Sequence, residues 1–283
     1  MMMMATPSFV LALIFLIPTQ CIGLSNLLGR RSIILSAPSA TLAGGLLPST
    51  DLATRLASKD PSVLENNLFN IPPSLQVYPK WLRGNWRVES RFAGFLLPSK
   101  TIPKEQVVAN PTVAGFQKCS IANLADIGKE RITYDWSVDT ATGWEDRAST
   151  LPSQINSYLG YKAVQSVTYN PQRNPNRLAV QFVEYRTINA ERIEIFCNAR
   201  ESYESDDLFV CAEYVKQVTF GTGSSYGVPR QVVTNYANFW TWRTNGSGNL
   251  LTAAYLDPQD PLYFSEPKRP VVMYSHQLQR QAV

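Results

Sequence analysis

One segment near residue 90 alternates between inward and outward residues, and strand-like segments recur from there to the end of the chain. In this first segment Trp86, Val88, Ser90 and Phe92 share one face, and charged residues lie between them. A period of two is typical of a β-strand that is buried on one face. Turn residues separate further predicted strands at 131–138, 162–169, 177–186, 191–197, 208–220, 231–243, 249–256 and 270–278.

Helical patterns are scarce, and only Leu52–Leu56 and Leu151–Leu159 are predicted as short helices. Strands joined in local hairpins indicate a mainly β fold with an up-and-down antiparallel sheet. Closing such a sheet into a barrel removes its exposed edges, so we expect an antiparallel β-barrel. A two-sheet β-sandwich is the alternative. Doubly wound and TIM-barrel folds are disfavoured because amphipathic helices do not separate the strands.

The first 47 residues have the composition of a targeting leader. Phe9–Ile17 is an apolar run with the length of a signal-peptide core, and Arg30-Arg31 precedes the apolar, small-residue stretch Ala37–Leu47. No Asp or Glu occurs in this region. We predict a bipartite leader over 1–47, a signal peptide followed by a twin-arginine-type lumenal signal. A single secretory signal with an accidental arginine pair and a retained membrane anchor are the alternatives.

The remaining chain is predicted to contain a Pro- and Asn-rich strap over 48–80 and the β-barrel domain over 81–283. The whole chain has 26 Lys and Arg residues against 22 Asp and Glu. Without Arg30 and Arg31, 24 basic residues remain against 22 acidic ones. This balance provides no basic patch, so we expect no nucleic-acid partner.

Cysteine and histidine residues limit the possible bridges and metal sites. If the hairpin of the fifth and sixth predicted strands is centred near Glu204, Cys197 falls opposite Cys211 and the pair is a candidate disulfide. Two buried free thiols are the alternative. The chain has one histidine, His276, and no Cys-x-x-Cys pair. We therefore predict neither a metal site nor a cofactor.

One motif has the spacing of a hydrolase nucleophile. Gly223–Gly227 matches Gly-x-Ser-x-Gly, and Ser225, Asp257 or Asp260, and His276 follow the order of an α/β-hydrolase triad. A nucleophile elbow joins a strand to a helix, whereas β-rich sequence follows here. We therefore interpret the motif as a hairpin loop, and the two aspartates as turn residues.

Aromatic residues provide the candidate ligand pocket. Tyr236, Trp240 and Trp242 share one face of a long strand. They are interpreted either as core packing or, with Trp86 and Phe92, as the wall of a cavity for an apolar pigment, quinone or lipid.

The segment Gly84-x-Trp86, directly ahead of the first strand, resembles the opening of lipocalin-like (calycin) barrels. That resemblance implies that the glycine allows a tight entry and that the indole plugs the closed end of the barrel. Calycins also stack a last-strand arginine on this tryptophan, and the sequence does not identify which arginine that is.

Four longer motifs are similar to an uncharacterised domain family of cyanobacteria and photosynthetic eukaryotes, over about residues 75–280. The family has no assigned activity or catalytic residues, and the resemblance implies a photosynthetic organism and the thylakoid. Together with the leader it predicts a plastid protein of the thylakoid lumen, with plain secretion as the alternative. The motifs are Pro79-x-Trp81-Leu82-x-Gly84-x-Trp86-x-Val88-x-Ser90-x-Phe92, Glu213-Tyr214-Val215-x-Gln217, Asp257-Pro258-x-Asp260-Pro261-Leu262-Tyr263-Phe264 and Arg269-Pro270-Val271-Val272-x-Tyr274.

The leading hypothesis is a non-enzymatic lumenal accessory or assembly protein for a thylakoid membrane complex, with an apolar small molecule as a second partner if the barrel is hollow. One rival is a lipocalin-like enzyme acting on an isoprenoid or lipid, with Asp257, Asp260 or His276 as acid or base. Another is a structural subunit at the periphery of a photosystem.

Overall fold

The computed structural model describes residues 51–58, 60–66, 73–122, 130–184, 187, 190–225 and 228–283, with the backbone alone at 222–225 and 228–230. The chain divides into two compact units, Met1–Leu47 and Pro48–Val283. All described residues belong to the second unit. The predicted leader, with Arg30 and Arg31, lies outside them.

Nine strands form one antiparallel sheet in the order β2-β1-β9-β8-β7-β6-β5-β4-β3. Every segment predicted as a strand from its pattern is a strand, and consecutive strands are neighbours from β3 to β9. The mainly β prediction and the hairpin order are confirmed. The bounds are β1 Gly84–Leu96, β2 Arg131–Val138, β3 Val164–Asn170, β4 Asn174–Phe182, β5 Arg192–Glu204, β6 Leu208–Ser225, β7 Val228–Arg243, β8 Ser247–Tyr255 and β9 Pro270–Ala282.

Helices in the described part of the chain are short. They are α1 Leu52–Ala57, α2 Lys104–Ala109 and α3 Arg147–Leu159, with 3-10 turns at Pro61–Val63, Lys80–Leu82 and Tyr263–Ser265. The Asp146 side chain accepts hydrogen bonds from the first turn of α3, and Gly160 ends that helix in the left-handed region at φ 79°.

The sequence predicted a closed barrel, and that prediction was wrong. The sheet is open and has two edge strands, β2 and β3. Helix α3 packs against both edge strands and takes the place of strand-to-strand pairing there. Its hydroxyl groups bind the backbone of β2, which removes the hydrogen-bonding need that favours closure. The backbone N–H of Asp135 donates to Ser153 Oγ (2.9 Å), that of Ser137 to Thr150 Oγ1 (3.3 Å), and Ser157 Oγ donates to the Thr133 carbonyl (2.7 Å).

Both faces of the central strands are buried. On the outer face, Leu52 of α1 and Leu64 pack with Tyr255 and other residues of β6 to β9. The Tyr255 hydroxyl also donates to the Leu64 carbonyl at 2.7 Å. These contacts hold Leu52 and Leu64 against the outer face of the sheet, and the strap over 48–80 stays a prediction.

The inner face is closed at one end by the loop that contains α2. Ile102, Val107 and Ile121 belong to a core cluster with inward residues of β4 to β9. Gln217 of β6, fully buried, fixes this loop because its amide accepts from the Ala122 N–H (3.1 Å) and donates to the Cys119 carbonyl (3.1 Å). None of the described helices is long and apolar enough to span a membrane.

Candidate functional site

The inner face of the sheet encloses a cavity of about 30 Å³. Tyr236, Trp240 and Trp242, which the sequence placed on one face of a long strand, all line it. The other lining residues come from β2, α3, β4, β5, β6, β7 and the segments before β1 and α3: Tyr78, Tyr134, Trp136, Glu145, Arg147, Leu151, Gln154, Leu178, Ile195, Glu213, Val215 and Asn238.

Aromatic rings fill the interior beside this cavity. The Trp136 and Trp242 indoles stack with their centroids 5.1 Å apart and an interplanar angle of 10°. Tyr78 meets Trp136 edge to face at 5.4 Å. Trp242 is 2% exposed. The aromatic wall therefore packs against a second aromatic layer and does not line a wide space.

Four charged side chains alternate in sign along one side of the cavity, and we call them the ion cluster: Glu145, Arg147, Glu213 and Arg200. Glu213 Oε1 accepts from Arg147 Nη2 at 2.5 Å and from Arg200 Nε at 2.6 Å. Arg147 Nε lies 3.2 Å from Glu145 Oε2. The four side chains are 4% to 17% exposed, so water screens these contacts poorly.

Local structure on each element brings the cluster together. The loop after β2 folds back so that Glu145 pairs with Val138 in an isolated bridge. Arg147 is the first residue of α3, so its side chain extends back toward the cavity. Arg200 on β5 lies directly opposite Glu213 on β6. Its remaining donors bind Asn176 Oδ1 (2.6 Å) and the Ser74 carbonyl (2.9 Å).

Burial and charge act in opposite directions on the two carboxyl groups. Desolvation raises the pKa of Glu213, but the guanidinium groups of Arg147 and Arg200 outweigh it and lower that pKa to about 2. Burial raises the pKa of Glu145 above its ordinary value, against the effect of Arg147. Glu213 is therefore a weak base with its bonded oxygen occupied, which suits a structural anion better than an acid–base catalyst.

Asn238 presents the one side-chain donor of the cavity lining that is buried without a partner among the described residues. It is 1% exposed, and its Oδ1 accepts from Thr252 Oγ1 at 2.7 Å. Its Nδ2 has no hydrogen-bond partner. At about 30 Å³ the cavity has room for one or two water-sized groups beside that amide.

Trp86 and Phe92, the other two pocket candidates, do not line the cavity. Trp86 Nε1 donates to the Leu82 carbonyl at 2.8 Å, and the Arg280 guanidinium on β9 lies 4.0 Å from the centroid of its ring. Phe92 packs against the ring of His276 at 5.4 Å. Arg280 was not identified from the sequence; its inward position on the last strand, opposite Val88 and two residues along β1 from Trp86, was the available signal.

Asp257 and Asp260 lie in one turn, where the Asp260 N–H donates to the Asp257 carbonyl at 2.8 Å, and their side chains are hydrogen-bonded. Asp257 accepts from Asn235 Nδ2 and from the Gln259 N–H, both at 2.9 Å. Asp260 Oδ2 accepts from Asn110 Nδ2 at 2.6 Å. His276 pairs with Leu250 on β8, and the stretch from Leu250 to Asp257 spans roughly 20 Å at about 3.3 Å per residue. His276 therefore forms no acid–base pair with Asp257.

Ser225 ends β6 and pairs with Val228 at the start of β7. The Gly-x-Ser-x-Gly motif therefore joins two antiparallel strands, as the hairpin interpretation expected. Tyr226 and Gly227 of the motif lie outside the described residues. The strand-to-helix context that a nucleophile elbow needs is absent from the described part of this segment.

Cys197 and Cys211 lie on neighbouring strands but do not face each other. The register pairs Cys197 with Val215 and Cys211 with Ser202, because the turn between β5 and β6 is centred between residues 206 and 207 and not at Glu204. Both are buried free thiols, and burial raises the pKa of Cys197 to about 12. Neither is a reactive thiolate. In the described part of the chain, no three His, Cys, Asp or Glu residues are placed to hold a metal ion.

Replacing Glu213 with glutamine tests the ion cluster. Glu213→Gln leaves Arg147 and Arg200 buried beside a neutral amide, so we expect the free energy of unfolding to fall by about 3 kcal/mol. Urea unfolding followed by circular dichroism measures it. Glu194→Gln is the matched control, since its partners Arg177 and Arg192 are about half exposed, and should cost less than about 1 kcal/mol. Equal losses in the two variants would contradict the role given to the cluster.

His276 predicts a pH dependence of stability. Desolvation lowers its pKa from 6.5 to about 4, so the unfolded chain takes up a proton in this window and the folded protein does not. Stability is therefore lost as the pH falls from 6.5 to about 4. We expect the wild type to lose on the order of 2–3 kcal/mol more than His276→Gln across the window. Urea unfolding at several pH values measures the difference, which comes from the chain's only histidine; parallel pH profiles would contradict it.

Comparison with known proteins identifies the family of the domain and assigns no activity to it. A family profile described as a domain of unknown function (DUF6816) matches residues 72–282. No curated protein and no solved structure matches the chain significantly. The similarity to an uncharacterised family is thus confirmed over nearly the predicted range. Because the match spans more than half of the sequence, the chain belongs to the DUF6816 family.

Proposed function

We propose that this protein is a non-enzymatic accessory or assembly factor of the thylakoid lumen that serves a membrane complex through its surface. The observation that carries the proposal is the filled interior: aromatic rings and the ion cluster leave a cavity of about 30 Å³. The candidate acid and base residues are engaged in turns or buried far apart. This arrangement supports a role that does not depend on catalysis.

The same volume argues against the carrier version of the hypothesis. Pockets for organic ligands measure roughly 300–1,000 Å³. The cavity is about 30 Å³, and the stacked Trp136 and Trp242 rings occupy the place where a pigment or quinone ring would lie. The aromatic face of β7 is therefore assigned to core packing, and the proposed function does not include an apolar ligand inside the sheet.

We also propose a relationship to calycin barrels in which helix α3 stands where the barrel would close. Its support is the pair formed by Trp86, in the Gly84-x-Trp86 opening, and Arg280 on the last strand, 4.0 Å from the indole. This is the stacking that the resemblance implies. The same guanidinium lies 5.4 Å from the centroid of the Trp81 ring. Two indoles and one cation therefore pack together at the end of the sheet where β1 begins.

We propose the lumenal location because of the predicted leader and the resemblance to a domain family of photosynthetic organisms. A twin-arginine translocase reads both guanidinium groups of its signal. We therefore expect that replacing Arg30 and Arg31 together with lysine leaves the protein in the stroma, because an ammonium does not reproduce a guanidinium fork. Import into isolated plastids followed by protease protection of the thylakoids measures this. Lumenal arrival of the double variant would refute the twin-arginine route.

Isolation of the protein from its native membranes tests the function itself. We expect a colourless protein with no extracted pigment, quinone or lipid at stoichiometric amounts, comigrating with incomplete membrane complexes on native gels. Absorption spectra and mass spectrometry of organic extracts measure the ligand, and native electrophoresis measures the comigration. A stoichiometric ligand would restore the carrier hypothesis. Constant stoichiometry with a mature photosystem would make the protein a structural subunit.

A further inference from the structure

Four exposed apolar side chains lie on segments that meet at one end of the sheet. Phe264 is 83% exposed, Leu96 54%, Phe95 52% and Val108 44%. We call these four residues the apolar end. They come from the end of β1, from α2 and from the 3-10 turn before β9. Exposed apolar groups that cluster in this way mark a contact surface, because a soluble protein gains nothing by leaving them in water.

Hydrogen bonds join the segments that carry the apolar end into one surface. Ser99 Oγ and Thr101 Oγ1 donate to Glu266 Oε1 at 3.0 and 2.8 Å, and Asn110 Nδ2 donates to Asp260 Oδ2 at 2.6 Å. Between α2 and Pro261 lies an open groove of about 440 Å³. The four apolar residues are therefore held on ordered segments.

Most exposed charged residues on the segments of the apolar end are basic. Asp260 and Glu266, the half-buried acids of these segments, are engaged in the hydrogen bonds just described. The exposed charged residues of 95–118 and 257–269 are five cations, Lys100, Lys104, Lys118, Lys268 and Arg269, against one anion, Glu105. Arg269 Nε lies 3.7 Å from Glu65 Oε1, so the lysines provide most of the basic charge. Such a rim attracts an anionic surface.

We propose that the apolar end docks onto the anionic surface of a lipid bilayer, with Phe264, Phe95 and Leu96 entering the headgroup region and the lysines contacting lipid phosphates. Aromatic and aliphatic tips within a basic rim are the composition of an interfacial membrane anchor. A protein partner fits less well, because lysine is depleted in protein–protein interfaces. This inference goes beyond the proposed function, since lipid docking does not depend on which complex the protein serves.

The test uses Pro48–Val283, a compact unit that contains all three core clusters. Cosedimentation with phosphatidylcholine vesicles, with and without phosphatidylglycerol, measures binding. We expect binding to the anionic vesicles only, weakened by salt. Phe264→Ser should weaken it about tenfold, the effect of removing one buried aromatic side chain. Lys100→Glu and Lys104→Glu should each weaken it at least about fivefold.

Matched controls lie at the opposite end of the sheet. Val77 is 48% exposed and Lys80 is exposed, and the neighbouring Tyr78 packs on Trp136, the β2 partner of Trp86. From Trp86 to Phe95 the strand spans roughly 30 Å at about 3.3 Å per residue. Val77→Ser and Lys80→Glu should bind vesicles as the wild type does, and thermal unfolding checks that every variant is folded.

Three outcomes would overturn the proposal: no binding to anionic vesicles, equal binding by Phe264→Ser and wild type, or equal losses in the end variants and the controls. Retention on native membranes but not on protein-free vesicles would assign the apolar end to a protein partner, which also contradicts lipid docking. None of these results bears on the bound-ligand test of the proposed function, so the two proposals fail separately.

Discussion

The contact between Glu213 and the two arginines Arg147 and Arg200 determines how the parts of this fold fit together. Glu213 lies on β6, near the middle of the sheet, Arg200 on the neighbouring strand β5, and Arg147 at the start of α3. Since α3 covers the interval between the two edge strands, the salt bridge to Arg147 fixes the helix against the sheet interior. Ser153 and Thr150 then meet the backbone of β2. A displaced α3 would leave two buried charges and an unsatisfied strand edge at the same time.

A buried ion pair contributes little net stability compared with well-packed apolar residues, because removing two charges from water is costly. Its value here is positional. A guanidinium and a carboxylate at 2.5 Å tolerate little displacement, whereas Leu151 of α3 could pack against the sheet in several registers. Glu145 continues the alternation and keeps Arg147 between two carboxylates. The cluster thus specifies where a helix sits in an otherwise all-strand wall.

Local sequence patterns were sufficient to predict the strands. Whether the sheet closes into a barrel could not be predicted from them, because it depends on contacts between residues far apart in the sequence. Alternation and turn residues identify every strand, because a half-buried strand leaves a period of two in the sequence. Nothing local in Thr150, Ser153 and Ser157 says that their hydroxyls bind a strand edge instead of water. The predicted pairing of Cys197 with Cys211 was wrong for a related reason, since the turn between β5 and β6 is centred between residues 206 and 207 and no residue pattern fixes that centre.

Only part of the candidate site could be predicted from the sequence. Tyr236, Trp240 and Trp242 were grouped by their spacing, and they line a small cavity whose size depends on rings that β2 and the segment before β1 contribute. Glu213 and Gln217 belong to a motif that is similar to the uncharacterised family, but their buried contacts were not predicted. Charged or amide side chains at inward positions of a central strand are the available signal, since such groups are rarely buried without partners. Each has its partners here: Glu213 orders α3 and β5, and Gln217 orders the loop around α2. That loop carries Val108 of the apolar end, so buried polar contacts fix the interior and also shape the surface through which we expect the protein to act.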